Sequence, residues 1–369
     1  MTNFLTYKEA ISYDELYKAM IKCKRNVQWK DSVANFVLHS VKNISNLSDD
    51  LEKETYVQRE PYMFKITSPK PRDILSVPFR DRVYQRSLND NILYPIMTRS
   101  FILDNCACQF KKGNQFARKR LVSQLRKMVD RYGTDLCVLK IDIHGFYKNL
   151  RHEYVEGLFE EKLDLETFRH AQSVISKQYQ GEIGYNPGSQ MIQIAGVSAL
   201  DGLDHYIKEQ LHVECYVHYM DDLIVVTRTK EHALECKEKI QEELSKIGLE
   251  YNRKKTNVFS VRDGIALLGF KFLLMDSGKI IQLPLPSKIK NGKRKYRHMV
   301  QKSLPNGKVS ISRIEESYKD FRENLKEGNS YKSINKLDKY YMSLWKGNEN
   351  YGREIQFIQS LRKKKKRSK

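Results

Sequence analysis

Two apolar runs, 215–218 and 223–226, enclose a short turn-prone segment in which Tyr219, Met220, Asp221 and Asp222 spell YMDD. So few residues are left for the reversal that the spacing predicts a β-hairpin with two adjacent carboxylates at its tip. A third carboxylate stands out by position. The run 136–143, LCVLKIDI, is apolar and β-branched and reads as a buried strand that Asp142 nearly closes. Between these elements a helix is expected over about 190–211, with Ile192, Ala195, Ala199, Leu203, Tyr206 and Leu211 near one face. After the hairpin come a helix over 230–247, capped by Gly248, and a strand over 267–274. The order β-α-β-β-α-β is that of a split βαβ unit with helices on one face of an antiparallel sheet.

In such a sheet a strand end and an adjacent hairpin tip can lie side by side, which would gather Asp142, Asp221 and Asp222. Three gathered carboxylates repel unless a divalent cation joins them. Oxygen ligands favour Mg²⁺ or Mn²⁺ over zinc. Two such ions, about 4 Å apart, can activate a hydroxyl and hold a triphosphate for in-line displacement. The plainer alternative is that the aspartate pair serves only the turn, whose backbone Asp favours.

Charge bears on the partner. Lys and Arg number 66 against 45 Asp and Glu, a formal net charge of +21, of which the tail 362–369 (RKKKKRSK) carries seven. The rest of the chain stays basic and interleaves 22 Tyr and 15 Phe. That pattern points to a polyanion, nucleic acid first, with acidic membrane surfaces and plain solvation as alternatives. A hydrophobic share of 40% excludes a mostly disordered chain, and 369 residues suggest two or three domains. No apolar run is long enough to span a bilayer, and the polar start MTNFLTYKEA lacks a signal peptide's apolar stretch, so no membrane role is expected. The six cysteines contain no CxxC pair and read as buried thiols of a reducing cytoplasm.

Elsewhere, residues 1–60 read as helices broken by a polar loop at 43–50 (NISNLSDD). Five prolines between Pro61 and Pro95 suggest short strands and turns followed by a helix, and 115–132 is a basic amphipathic helix that Gly133 ends. The stretch 288–302, with seven Lys or Arg and Gly292, reads as a basic linker or strand pair. Ser312 to Glu315 matches a capping box opening a helix with Ile314, Tyr318, Phe321 and Leu325 on one stripe. A second helix carries Ile334, Leu337, Tyr341, Leu344 and Trp345.

Seven blocks then occur in order: PKPRDILSVPFRDRVYQ (69–85), QFKKGN (109–114), KIDIHGFYKNL (140–150), PGSQMIQIAGVSALDGLDHYIKE (187–209), YVHYMDDLIVV (216–226), NRKKT (252–256) and LLGFKF (267–272). Together they resemble a bacterial reverse transcriptase of the group II intron-like lineage, over more than half of the chain. The resemblance implies an α+β right-hand polymerase fold: an N-terminal helical extension (1–60), fingers (61–135), a split βαβ palm (136–275), a basic connector and helical thumb (276–361) and a basic tail (362–369). It implies an RNA-directed DNA polymerase that uses two Mg²⁺ ions, or Mn²⁺ as a substitute. The expected partners are an RNA template, a DNA primer or product, dNTPs and a structured non-coding RNA, in a bacterial cytoplasm; no protein partner is implied.

Site roles follow from the same resemblance. Asp142, Asp221 and Asp222 correspond to the metal-binding carboxylates, with the Ile143 carbonyl as a further ligand. Tyr147 matches the aromatic that excludes a ribose 2′-hydroxyl, the alternative being that Phe146 and Tyr147 are simply core. Lys70, Arg72, Arg80 and Arg82 lie in the fingers region, where cations meet triphosphate or template, and one or more of them is expected to pair with Asp73 or Asp81 instead. Lys111 and Lys112 correspond to template contacts. Lys255 resembles the lysine that protonates departing pyrophosphate, or is a solvated lysine. Leu268, Gly269 and Phe270 resemble the turn that grips the primer end. Pro187, Gly188 and Ser189 stand where the family commonly has Gln-Gly-Ser, so a side-chain amide near the nucleotide is missing. Ile192-Gln193 replaces Ser-Pro, and Gln193 resembles the diversity-generating enzymes in part. About 95 residues follow the palm, enough for a thumb without maturase and endonuclease domains. A compact enzyme of phage defence or diversity generation is thus expected. The alternatives are a template-independent DNA polymerase on the same fold and a non-catalytic RNA-binding module.

Overall fold

The computed structural model describes residues 4–67, 71–186, 188–303 and 309–363. The chain divides into two compact units, one of residues 1–120 and 139–258, the other of 121–138 and 259–369.

The first unit opens on helices Tyr7–Ala10, Tyr13–Cys23, Asp31–Leu38 and Ser40–Glu52. The polar segment 43–50 lies inside the last of these, where a loop was expected. Ile44, Leu47, Ser48 and Leu51 fall at helical spacing and are all buried. Packing of that stripe outweighs the weak helix propensity of Asn, Ser and Asp. An antiparallel ribbon follows, β1 (Tyr62–Ile66) and β2 (Arg72–Ser76), and then a helix, Phe79–Leu88.

The sheet that organises this unit contains β3 (Cys137–Asp142), β4 (Cys215–Tyr219), β5 (Asp222–Thr227) and β6 (Asn257–Ser260), in the order β4-β5-β3-β6. The apolar runs of β4 and β5 are buried almost throughout, as expected of strands covered on both faces. Their register pairs Cys215 with Val226 and ends at Tyr219 with Asp222, so Met220 and Asp221 alone make the reversal. Because β5 lies next to β3, the end of β3 sits beside the hairpin tip. Helix Lys230–Lys246 packs on β5 and ends before Gly248, whose φ of 75° fits the expected cap.

Two expectations, one strand and one helix, need correction. The fourth strand of the sheet is β6; the run 267–274 lies in a separate antiparallel sheet of β7 (Ile265–Leu267), β8 (Phe270–Leu274) and β9 (Ile280–Pro284). Leu268 and Gly269 have positive φ (48° and 83°) and fold the run into a hairpin. The helix expected over 190–211 is interrupted at Leu200, giving Gln190–Ala199, Asp201–His205 and a wider turn at Tyr206–Gln210.

In the second unit four helices, Pro286–Ser303, Ile311–Lys326, Tyr331–Ser343 and Tyr351–Lys363, bury Tyr296, Tyr318, Tyr341 and Trp345 in one aromatic core. The basic stretch 288–302 is therefore a helix and not a linker or strand pair. Its apolar stripe (Ile289, Tyr296, Met299, Val300) is sparse, and Gly292 belongs to the packed face: a Cβ there would lie 2.6 Å from the Phe321 ring. Lysine and arginine stems fill most of the remaining positions without interrupting the stripe. The cap of the following helix is Ser310, which accepts a hydrogen bond from the Arg313 amide, rather than Ser312. Among the cysteines Cys106, Cys215 and Cys236 are buried, but Cys108 is exposed. Among the described residues no helix is long and apolar enough to cross a membrane.

Candidate active site

The reversal at Met220–Asp221 and the end of β3 are tied by a hydrogen bond from the Ile143 amide to the Asp221 carbonyl, 3.0 Å. The neighbouring chain, 250–252, is bridged to the same strand end: His144 donates to the Glu250 carbonyl and Asn252 to that of Asp142. Those two bonds use the residues on either side of Ile143, whose own carbonyl stays out of the bridge. Asp142, Asp221 and Asp222 are thus carried by two adjacent strand ends. Lys255 follows one turn after Asn252 and places its ammonium 2.9 Å from both oxygens of Asp142. Lys140, two residues before Asp142 on β3, approaches Asp222 at 3.8 Å.

The electrostatics follow from this crowding. Burial, with Asp221 and Asp142 close by, holds the Asp222 carboxyl above its ordinary range, while Lys140 and Lys255 pull it down. The hydrogen bond to Asp142 raises the pKa of Lys255 and keeps its ammonium protonated. Among the described residues no group of three or more His, Cys, Asp or Glu is placed so as to hold a metal ion. The donor set itself, three carboxylates and a backbone carbonyl, suits a hard divalent cation. Such a cation would offset what raises the Asp222 carboxyl, its burial first and then the charges of Asp221 and Asp142.

Tyr147 lies in the short helix Phe146–Asn149, just past β3, near enough to feel the Asp221 charge. Its ring rests on Gly196 of helix Gln190–Ala199: a Cβ at 196 would come 2.8 Å from a ring carbon and 3.0 Å from the hydroxyl. Its hydroxyl oxygen is buried and has no hydrogen-bond partner among the described residues. An aromatic held this way is compatible with a steric role over a sugar. Phe146, by contrast, is core.

The other candidate residues separate into committed and open groups. Arg80 is spent on Asp50 and stacks over Tyr56, 4.9 Å from the ring centre, so it pairs with Asp50 before Asp81, which is 4.0 Å away. Lys112 donates to the carbonyls of Ile102, Leu103 and Asn105, and burial pushes its pKa down; it ties a loop together. Arg82 reaches the Val77 carbonyl at 3.4 Å and lies over Phe79. Arg72 is exposed on β2, and Lys111, with φ of 61°, is exposed beside Phe110. Gly188 lies against β2, where a Cβ would meet the Leu75 carbonyl at 2.5 Å. Gln193 is half-buried on the helix that carries Gly196. Lys70 and Pro187 fall outside the described residues. Leu268, Gly269 and Phe270 belong to the second unit, where Lys288 sits over the Phe270 ring at 3.9 Å.

Sequence reasoning overlooked Lys140, Gly196 and a polar group behind the hairpin: His218, Asp204, Tyr216 and Asn105. Lys140 and His218 did leave a signal, each being a cationic or ionisable side chain inside an otherwise apolar strand. Asp204 left none.

Against known proteins, the model of a family described as reverse transcriptase (RNA-dependent DNA polymerase) matches residues 68–272. No curated protein matches the chain. Among solved structures the chain is similar to telomerase from Candida albicans in complex with a TWJ fragment of telomeric RNA, at 11% identity and a TM-score of 0.46, over 84% of this chain and 64% of that one. It is also similar to apo telomerase from Candida tropicalis, at 14% identity and a TM-score of 0.45, over 88% of this chain and 71% of that one. The chain thus spans less than two thirds of the first of these proteins. The family match takes in more than half of the residues, including Asp142, Asp221, Asp222 and Lys255, and the chain belongs to the reverse transcriptase family. Its fold is the α+β right-hand polymerase fold.

Proposed function

We propose that this protein copies RNA into DNA, as a compact bacterial enzyme of the group II intron-like lineage. The observation that carries the proposal is the convergence of Asp142, Asp221 and Asp222 on adjacent strand ends, with Lys255 on Asp142, inside the matched stretch. In this reading residues 61–135 serve as fingers, 136–275 as palm and 276–361 as thumb, after an N-terminal extension. Family members generally use divalent metal ions. Here Asp142, Asp221, Asp222 and the Ile143 carbonyl would hold two Mg²⁺ ions, whose chemistry is to activate the primer hydroxyl and neutralise the triphosphate.

The chain's own residues would do the rest. Lys255 holds a proton at Nζ and would give it to the departing pyrophosphate once it leaves Asp142. Tyr147, stopped from retreating by Gly196, would leave no room for a 2′-hydroxyl. Arg72 and Lys111, both exposed, are the cations best placed among the candidates to meet phosphates. The basic helix Pro286–Ser303 would add salt-sensitive contacts to the duplex. A structured RNA partner, a bacterial cytoplasmic setting and a role in phage defence belong to the same proposal.

The test is incorporation of labelled dTTP on poly(rA) primed with oligo(dT), in Mg²⁺ or Mn²⁺, beside an Asp221→Ala/Asp222→Ala control. Template-dependent incorporation that the double variant loses is the expected result. Incorporation indifferent to template would replace the reading with untemplated synthesis, and none on any nucleic acid would leave an RNA-binding module.

A further inference from the structure

Met220 is the unusual residue of the hairpin. It occupies a left-handed conformation, φ 58°, although it is not glycine. A two-residue reversal calls for positive φ, and a side chain there costs about 1–2 kcal/mol unless something holds it. What holds it is visible. The ring of His218 is completely buried on β4, and its Nε2 lies 2.7 Å from the Met220 carbonyl oxygen. The other nitrogen, Nδ1, lies 2.8 Å from Oδ2 of Asp204, also fully buried.

The protonation state follows from the partners. A carbonyl oxygen can only accept, so Nε2 carries a hydrogen. Asp204 accepts from the Tyr216 hydroxyl at 2.6 Å and from the Asn105 amide at 3.0 Å, bonds that favour its carboxylate form, which accepts from Nδ1 as well. The Asn105 orientation is fixed in turn, because its Oδ1 accepts from Gln109. Both ring nitrogens therefore donate, and the ring is an imidazolium. Burial alone would push its pKa down; the Asp204 charge, its hydrogen bond and the Met220 carbonyl together push it up. The backbone is clamped too, with His218 donating to the Asp104 carbonyl and accepting from the Cys106 amide.

We propose that His218 is a positioning residue for the polymerase site: its imidazolium, anchored on Asp204, holds the Met220 carbonyl and thereby fixes the turn that presents Asp221 and Asp222. This rests on the polymerase reading above. His218 touches no substrate in this role. It acts through the backbone, one residue before the first carboxylate of the pair.

The test uses the full chain with His218→Gln, Met220→Gly and the combination, each measured on primed poly(rA) with its melting curve. In folded His218→Gln protein, kcat should fall about tenfold or more while KM for dTTP stays within about threefold, because positioning and not binding is lost. Glycine accepts the left-handed turn without strain, so Met220→Gly placed on His218→Gln should recover at least about threefold in kcat. A folded His218→Gln protein with kcat within about twofold of the parent overturns the proposal, as does a combined variant with no recovery. Should the variants fail to fold, ¹⁵N spectra of the parent's ring decide: two protonated nitrogens support the assignment and one overturns it. If the parent itself incorporates nothing, the polymerase reading fails separately, and the ring spectrum still reports whether His218 can hold the turn.

Discussion

Two fully buried carboxylates, one in each unit, are built from the same parts to different ends. Asp204, behind the hairpin, accepts from a tyrosine hydroxyl (Tyr216) and a cationic ring (His218) that also reaches a backbone carbonyl. Asp338, among the C-terminal helices, accepts from Tyr318 and from Arg322, which likewise reaches a backbone carbonyl, that of Leu361. Arg362 adds a second cation to Asp338. The difference lies in whose carbonyl is held. Leu361 is in the last turn of a helix, so the second network pins helices to one another. Met220 is in a strained reversal immediately before Asp221 and Asp222, so the first network pins a site. A buried ion pair is weak evidence for stability by itself; what it orients decides its worth.

The largest expected effect comes from breaking either pair. Asp204→Asn and Asp338→Asn should each cost about 3–5 kcal/mol in denaturant unfolding, since each leaves a buried cationic group, His218 or Arg322, without its counter-charge. Turnover per folded molecule should fall only for Asp204→Asn. Equal turnover losses in both variants would dissolve the contrast.

A third buried carboxyl sharpens it. Glu354 accepts a hydrogen bond from Tyr341 and lies beside the Glu315 carboxylate. Burial pushes its pKa from 4.5 up to about 7. The folded protein then binds this proton more tightly than the unfolded chain does, so the Glu354 contribution to stability falls as pH rises from 4.5 to about 7 and is level outside that window. Glu354→Gln should remove that part of the slope, read as urea midpoints at pH 5 and pH 7.5. A variant with the parent's slope would show that Glu354 is already ionised.

The smallest effect expected is that of the tyrosine hydroxyls. Tyr216→Phe and Tyr318→Phe each remove one bond to a carboxylate that keeps its cation, and should cost about 1–3 kcal/mol. Tyr216→Phe should leave the Met220 turn in place and kcat within about twofold. A larger drop in kcat would shift the positioning role from His218 to the network as a whole.

Much of the site was legible in order along the chain. Apolar runs only four residues apart predict a hairpin, and a carboxylate at a strand end is expected at the rim of the sheet, because strand periodicity and turn geometry are local. Asp142, Asp221 and Asp222 could therefore be named before any contact was known. The basic helix Pro286–Ser303 was missed because its apolar stripe is thin and Gly292 conceals a packed position. The helix Ser40–Glu52 was missed because its residues prefer turns until Ile44, Leu47 and Leu51 find a surface to cover.

What the sequence determined by itself is the class of chemistry: three carboxylates, an aromatic after the first, and a basic body around them. What only the tertiary structure decided is which cations are available. Arg80 and Lys112 look no different in sequence from Arg72 and Lys111, yet Asp50 and three loop carbonyls claim the first two. Local pattern specifies an element and its faces, whereas a charge's partner depends on residues brought in from elsewhere in the chain. For the same reason Asp204, silent in sequence, becomes the anchor of the catalytic turn only when folding sets it against His218.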